Sequence, residues 1–175
     1  MSLGTALWQE VVVDFPDNVE IARITVRLLV AIVLGGILGF QRAHMGKAAG
    51  VRTHMLVTLG AAIVVLLPHL TGMSSADISR IIQGTLTGIG FIGGGVILKM
   101  SEQHQIVGIT TAASIWLTAI LGIAAGTGRL GLAVVGAILA FLILTFFGWL
   151  EHELIANHFA GKVESTETPP HRLEG

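Results

Sequence analysis

Hydrophobic positions in this chain do not alternate with polar ones. They run together in five nearly uncharged stretches: Ile24 to Phe40, with Arg27 near its outer end, His54 to Thr71, Ile81 to Leu98, Ile106 to Ala125 and Leu130 to Leu150. A hydrocarbon core of about 30 Å takes about 20 helical residues at about 1.5 Å each. By that measure the fourth and fifth stretches are clean spans, the first is short beyond Arg27, and the third is diluted by glycine. The pattern predicts an all-α membrane protein, a bundle of five transmembrane helices over residues 24–150. Residues 1–23 mix Leu7, Trp8, Val11, Val12, Val13 and Phe15 with Glu10, Asp14, Asp17 and Glu20, which suits an N-terminal interfacial segment broken at Pro16. Acids without a preceding Lys or Arg are the reverse of a cleavable leader, so the first hydrophobic stretch is expected to stay in the mature protein. Residues 151–175 are polar and carry Pro169 and Pro170, and are read as a short tail.

Composition agrees and narrows the functions. Hydrophobic residues make 53% of 175, glycine contributes 23 and charged residues only 12%. So little polar surface cannot coat a water-soluble globule, and disorder needs the opposite balance. The net charge of −1 gives no field for nucleic acid, and the absence of cysteine removes disulfides, thiolate metal sites and thiol nucleophiles. Arg42, Lys47, Arg52, Lys99, Lys162 and Arg172 fall on one side of the predicted bundle; Arg23, Arg27, Arg80 and Arg129 fall on the other, with most of the acids. That bias puts the N-terminus outside and the C-terminus in the cytoplasm. No internal repeat appears, and five helices do not divide into two inverted halves, although a dimer could supply the missing symmetry.

Three groups of residues stand out. Helix three carries Gly84, Gly88, Gly90, Gly93, Gly94 and Gly95, with two pairs at spacing four. Two readings are open: close helix packing through small residues, or a break at Gly93–Gly95 that frees backbone groups to bind an ion. The loop between helices one and two holds Arg42, Lys47, Arg52 and Thr53, with Thr53 expected to cap helix two, while Thr110 and Thr111 open helix four beside Lys99. Two positive helix ends plus these cations would bind a small anion or an anionic lipid phosphate if they converge; otherwise they are orienting charges at headgroup level. On the opposite side Asp77 can cap helix three and pair with Arg80, while Gln83 and Thr87 carry a polar stripe inward, either as a path or as a hydrogen bond to a neighbouring helix.

Absences matter too. No Asp or Glu lies inside any span, and a proton- or Mg²⁺-coupled carrier normally needs one there. His152 and His158 are spaced too widely for two ligands on one helical face, so no metal site is expected. His69 reads as a cap at the end of helix two, Trp149 as an interfacial anchor and Trp116 as a packing residue. The span interiors hold no Ser/His/Asp set or paired carboxylates, so no catalytic residue, cofactor or enzyme activity is expected.

Several ordered motifs then carry a resemblance: Gly39-Phe40-Gln41-Arg42, Ala49-Gly50-Val51-Arg52-Thr53, Asp77 with Arg80 and Gln83, Gly88-Ile89-Gly90-Phe91-Ile92-Gly93-Gly94-Gly95, and Gly108-Ile109-Thr110-Thr111-Ala112-Ala113-Ser114. Over roughly residues 24–148 the chain resembles the MgtC/SapB family of bacterial inner-membrane proteins. The resemblance implies a five-helix domain in the bacterial inner membrane, a role in adaptation to low magnesium and, in pathogens, survival inside phagocytes. Gln41 stands where that family usually has glutamate, and residues 151–175 leave no room for the ACT-like domain that some relatives append. Together these readings lead to a non-enzymatic modulator acting through helix contacts with itself or with a membrane ATPase, in the lipid bilayer and without nucleic acid. The alternative is a small-ion or anion transporter using a polar path along helix three.

Overall fold

The computed structural model describes residues 2–5, 17–100, 105–148 and 150. Residues 6–16 of the expected N-terminal interfacial segment 1–23, Trp149 and the tail over 151–175 lie outside the described residues, while residues 18–23 form the first turns of a long helix. Among the described residues five long helices follow one another: α1 Asn18–His44, α2 Val51–Thr71, α3 Ser75–Val96, α4 Ile109–Gly126 and α5 Leu130–Leu142, which continues into a π-helical turn Ile143–Phe147. Between α3 and α4, where the sequence suggested only a short loop, two antiparallel strands pair: β1 Leu98–Met100 with β2 Gln105–Val107, Leu98 opposite Val107. Among the described residues, four helices are long and apolar enough to cross a membrane: Asn18–His44, Val51–Pro68, Ile109–Gly126 and Leu130–Phe147. The third, with its glycines and polar stripe, is not among them.

Local chemistry sets the helix ends. Asp17 starts α1, its carboxylate accepting from the Val19 amide at 3.3 Å, with Glu20 in the first turn, so α1 begins well before Ile24. Acids there complement the positive helix start. Helix α2 begins at Gly50, not Thr53: Gly50 is the cap and no side chain satisfies the first amides. The chain reverses after α2 through Gly72, in the left-handed conformation (φ 66°) that glycine adopts without a Cβ clash. Helix α3 is capped by Ser74 rather than Asp77. Ser74 Oγ accepts from the Asp77 amide at 3.3 Å and donates to the Asp77 carboxylate at 2.6 Å, so Asp77 is engaged in the cap instead of being held for Arg80.

By contacts the chain falls into two compact units, residues 1–138 and 139–175. In the first, α2 packs against α1 and α4, and α4 also packs against α1 and α3. Its buried apolar residues are mostly small, including Ala31, Ala61, Ala62, Ala119, Ala124, Ala125, Ala133 and Ala137, while Leu29, Val33, Ile37, Leu56, Leu67, Leu132 and Val135 are exposed. This reverses the size pattern of a soluble core. Where lipid is as apolar as leucine, large side chains gain little by turning inward, and small ones let backbones approach. Trp116, expected to pack between helices, is 45% exposed on this outer surface. The second unit contains the end of α5 and the π-helical turn, in which the Phe146 and Phe147 rings meet edge to face at 5.4 Å.

Candidate functional site

Close approach of backbones creates the site. A Cβ on Gly35 would lie 2.6 Å from the His54 carbonyl oxygen, and one on Gly39 would lie 2.6 Å from Val51 Cα, so α1 lies directly on the first turns of α2. Gly122 and Gly126 do the same for α4: a Cβ on Gly122 would strike the Thr58 carbonyl, and one on Gly126 would sit 2.9 Å from Ala62 Cα. Between these seams, near the α2 and α4 starts, a group of polar side chains is buried: Gln41 and Arg42 from α1, His54 and Thr58 from α2, Thr111, Ser114 and Thr118 from α4. Spacings of four on α2, and of three and four on α4, keep each set on one helix face.

Their hydrogen bonds form a chain. Arg42 Nη2 donates to Thr111 Oγ1 at 2.8 Å. His54 Nδ1 lies 2.9 Å from the Gly50 carbonyl, which can only accept, so the imidazole proton sits on Nδ1. His54 Nε2 then faces Ser114 Oγ at 3.3 Å, and Ser114 also reaches the Thr111 carbonyl at 2.8 Å. Ser114 has one proton, so Nε2 and that carbonyl compete for it. Thr58 donates back to the His54 and Met55 carbonyls, and Thr118 to the Ser114 carbonyl. Arg42 is 3% exposed and its Nε has no hydrogen-bond partner. Among the described residues no group of three or more His, Cys, Asp or Glu side chains could hold a metal.

The expected basic cluster is therefore split. Arg42 and Thr111 meet in the interior, whereas Lys47, Arg52 and Thr110 are exposed and Thr53 is half-buried in the first turn of α2. Sequence reasoning missed His54, Thr58, Ser114 and Thr118 as members of the site. Their spacing was visible, but isolated Ser and Thr in a helix commonly bond their own backbone and carry no mark of burial.

The third helix bears on the two readings left open for its glycines. Helix α3 runs unbroken through Gly93–Gly95. Only Gly93 meets a neighbour, its Cβ position lying 3.6 Å from Ala112 Cβ; Gly84, Gly88, Gly90, Gly94 and Gly95 have nothing within 4 Å. Ile82, Leu86 and Ile89 pack inward on Ala61, Val65, Ala119 and Ile123. Arg80, Gln83 and Thr87 lie exposed on the glycine side, Thr87 donating to the Gln83 carbonyl at 2.9 Å. The polar stripe thus faces away from the buried cluster. At the far end of α1, an open cavity of about 440 Å³ is lined by Val19, Ala22, Arg23, Val26, Arg27, Gly128 and Leu130. There Arg27 donates to the Gly126 carbonyl at 3.2 Å.

Comparisons with known proteins identify the family. The model of the MgtC family matches residues 28–153. The protein named "Putative magnesium transporter YhiD" of Escherichia coli is 36% identical over 149 residues, covering 79% of this chain and 66% of the relative. Protein SrpB of Synechococcus elongatus is 39% identical over 136 residues, 71% of this chain and 75% of its own. Protein MgtC of Brucella abortus is 37% identical over 108 residues, 62% of this chain and 44% of its own. The chain thus covers just under two thirds of YhiD and under half of MgtC. No solved structure matches it. With the family match extending from the middle of α1 past the end of α5, and with four helices long and apolar enough to span, this chain is a multi-pass membrane protein that belongs to the MgtC family.

Proposed function

We propose that this protein is a non-enzymatic modulator in the bacterial inner membrane that acts during magnesium limitation by docking the outer face of α3 against a second copy or a membrane ATPase. The reading takes α3 as a fifth span, with the N-terminus outside and the C-terminus in the cytoplasm, following the Lys/Arg bias. The observation that carries it is the orientation of α3: Ile82, Leu86 and Ile89 pack into the bundle, while Gln83, Thr87, five glycines and Phe91, which is 86% exposed, point out. Facing lipid, that surface would leave the Gln83 side-chain amide without a partner and forgo the close backbone approach that glycine permits; facing another helix, it gains both. The magnesium link rests on family membership and on the name borne by YhiD. The transporter alternative would need α3 to wall an enclosed route, and with the stripe outward the second wall must come from another chain.

The native chain has no cysteine, so single replacements report cleanly. In membranes from magnesium-starved cells, Gly88→Cys and Phe91→Cys on α3 are expected to cross-link to a second copy or a membrane partner. Leu56→Cys, 68% exposed on α2, is not expected to do so. Cross-linking at the α3 positions no greater than at Leu56 overturns the proposal.

A further inference from the structure

The buried end of α1 has an electrostatic imbalance that the docking of α3 does not address. Arg42 is 3% exposed, is permanently charged, and donates through Nη2 to the neutral hydroxyl of Thr111, while its Nε–H meets no acceptor. Its surroundings are positive on both sides. Thr111 lies in the first turn of α4, and Arg42 joins through the loop after α1 to the first turn of α2; the caps of these helices, Gly108 and Gly50, supply no side-chain oxygen. Each start therefore presents amides without intrahelical partners and the positive end of a dipole. Among the described residues the carboxylates are Asp17, Glu20 and Asp77, all in or beside the first turns of α1 and α3. Asp17 and Glu20 are on the order of 30 Å or more along α1 from Arg42, at about 1.5 Å per residue.

A guanidinium removed from water beside two positive helix ends is strongly stabilised when a negative charge joins it. We infer that Arg42, Thr111 and the amides opening α4 form a binding site for a phosphate-type oxyanion, supplied either as free inorganic phosphate or as the headgroup of an anionic phospholipid. The guanidinium Nε–H and the helix amides donate to oxygens of the anion, and Thr111 Oγ1, already accepting from Nη2, turns its own proton toward the same charge. Lys47 and Arg52, exposed beside the turn over residues 45–48, attract anions toward this end of the bundle. The hydroxyl, the fork-shaped cation and the two helix starts favour a multidentate oxyanion over a spherical halide.

The test uses the full-length protein purified in a maltoside detergent, which contains no phosphate. Its thermal unfolding is followed with inorganic phosphate, with chloride at equal ionic strength, and in nanodiscs containing phosphatidylglycerol or uncharged glycolipid. A higher melting temperature with phosphate and not chloride supports a free-anion site; a gain only with phosphatidylglycerol supports a headgroup site. In the arm that responds, Arg42→Gln is expected to weaken binding by at least about tenfold, as loss of a charge-assisted hydrogen bond does, and Thr111→Val by a smaller factor of roughly three to ten. If Arg42→Gln fails to fold, Thr111→Val keeps the charge and decides the matter. No shift with any phosphate source, or equal shifts in wild type and Thr111→Val, overturns the inference.

Discussion

Along α2, glycines of the neighbouring helices are pressed onto backbone: Gly35 and Gly39 of α1 against His54 and Val51, Gly122 and Gly126 of α4 against Thr58 and Ala62. Along the outer side of α3, five glycines at similar spacing have nothing within 4 Å. The first set holds the bundle together and buries a polar network in the seam; the second lies open on a helix face that also exposes Gln83, Thr87 and Phe91. Spacing alone therefore does not say which helix a small-residue face meets, or whether that helix belongs to the same chain. The buried network belongs to the first set because close backbones exclude water and let short side chains such as Ser114 and Thr118 find carbonyls.

Substitutions separate the two regions most sharply at the glycines themselves. Gly122→Ala places a methyl against the Thr58 carbonyl and Gly35→Ala places one against His54, contacts with backbone that cannot rotate away. Each is expected to lower stability by about 3 kcal/mol, the upper part of the range for overpacking, measured by reversible unfolding in mixed micelles. Within the network the effects are smaller and depend on who loses a partner. Ser114→Ala leaves His54 Nε2 without its hydroxyl and is expected to cost about 1–2 kcal/mol in the same assay. Thr118→Val removes a donor that serves only a carbonyl of its own helix and is expected to cost less than about 0.5 kcal/mol. The smallest change lies on α3. Gly88→Ala, with open space around it, is expected to stabilise the isolated protein by up to about 1 kcal/mol through helix propensity. It should at the same time weaken association, read as a shift toward the smaller species in size-exclusion chromatography. Equal losses at Gly122 and Gly88 would erase the distinction between the two faces.

The positions of the helices were legible in the sequence because the bilayer demands long apolar runs, and each of the five runs became a helix. Boundaries moved where capping chemistry intervened: Asp17 extends α1 backward, Gly50 takes the start of α2 from Thr53, and Ser74 takes that of α3 from Asp77. The hairpin pairing Leu98–Met100 with Gln105–Val107 was not anticipated, since a three-residue strand is too short for a periodic signal. Of the candidate site, Arg42 and Thr111 were singled out and do meet, whereas Lys47, Arg52 and Thr110, marked by the same reasoning, stay at the surface. Charge and proximity to a helix start are written locally; burial is not.

Hydropathy and the scarcity of charge determined that this polypeptide is a predominantly helical membrane protein, because those quantities depend on each segment's own exchange between water and lipid. Which glycines bear contacts, which arginine is enclosed, and which way α3 turns its polar side were decided only in the folded bundle. Those outcomes depend on the rotation of each helix about its axis, and that rotation is set by the summed fit of neighbours distant in sequence.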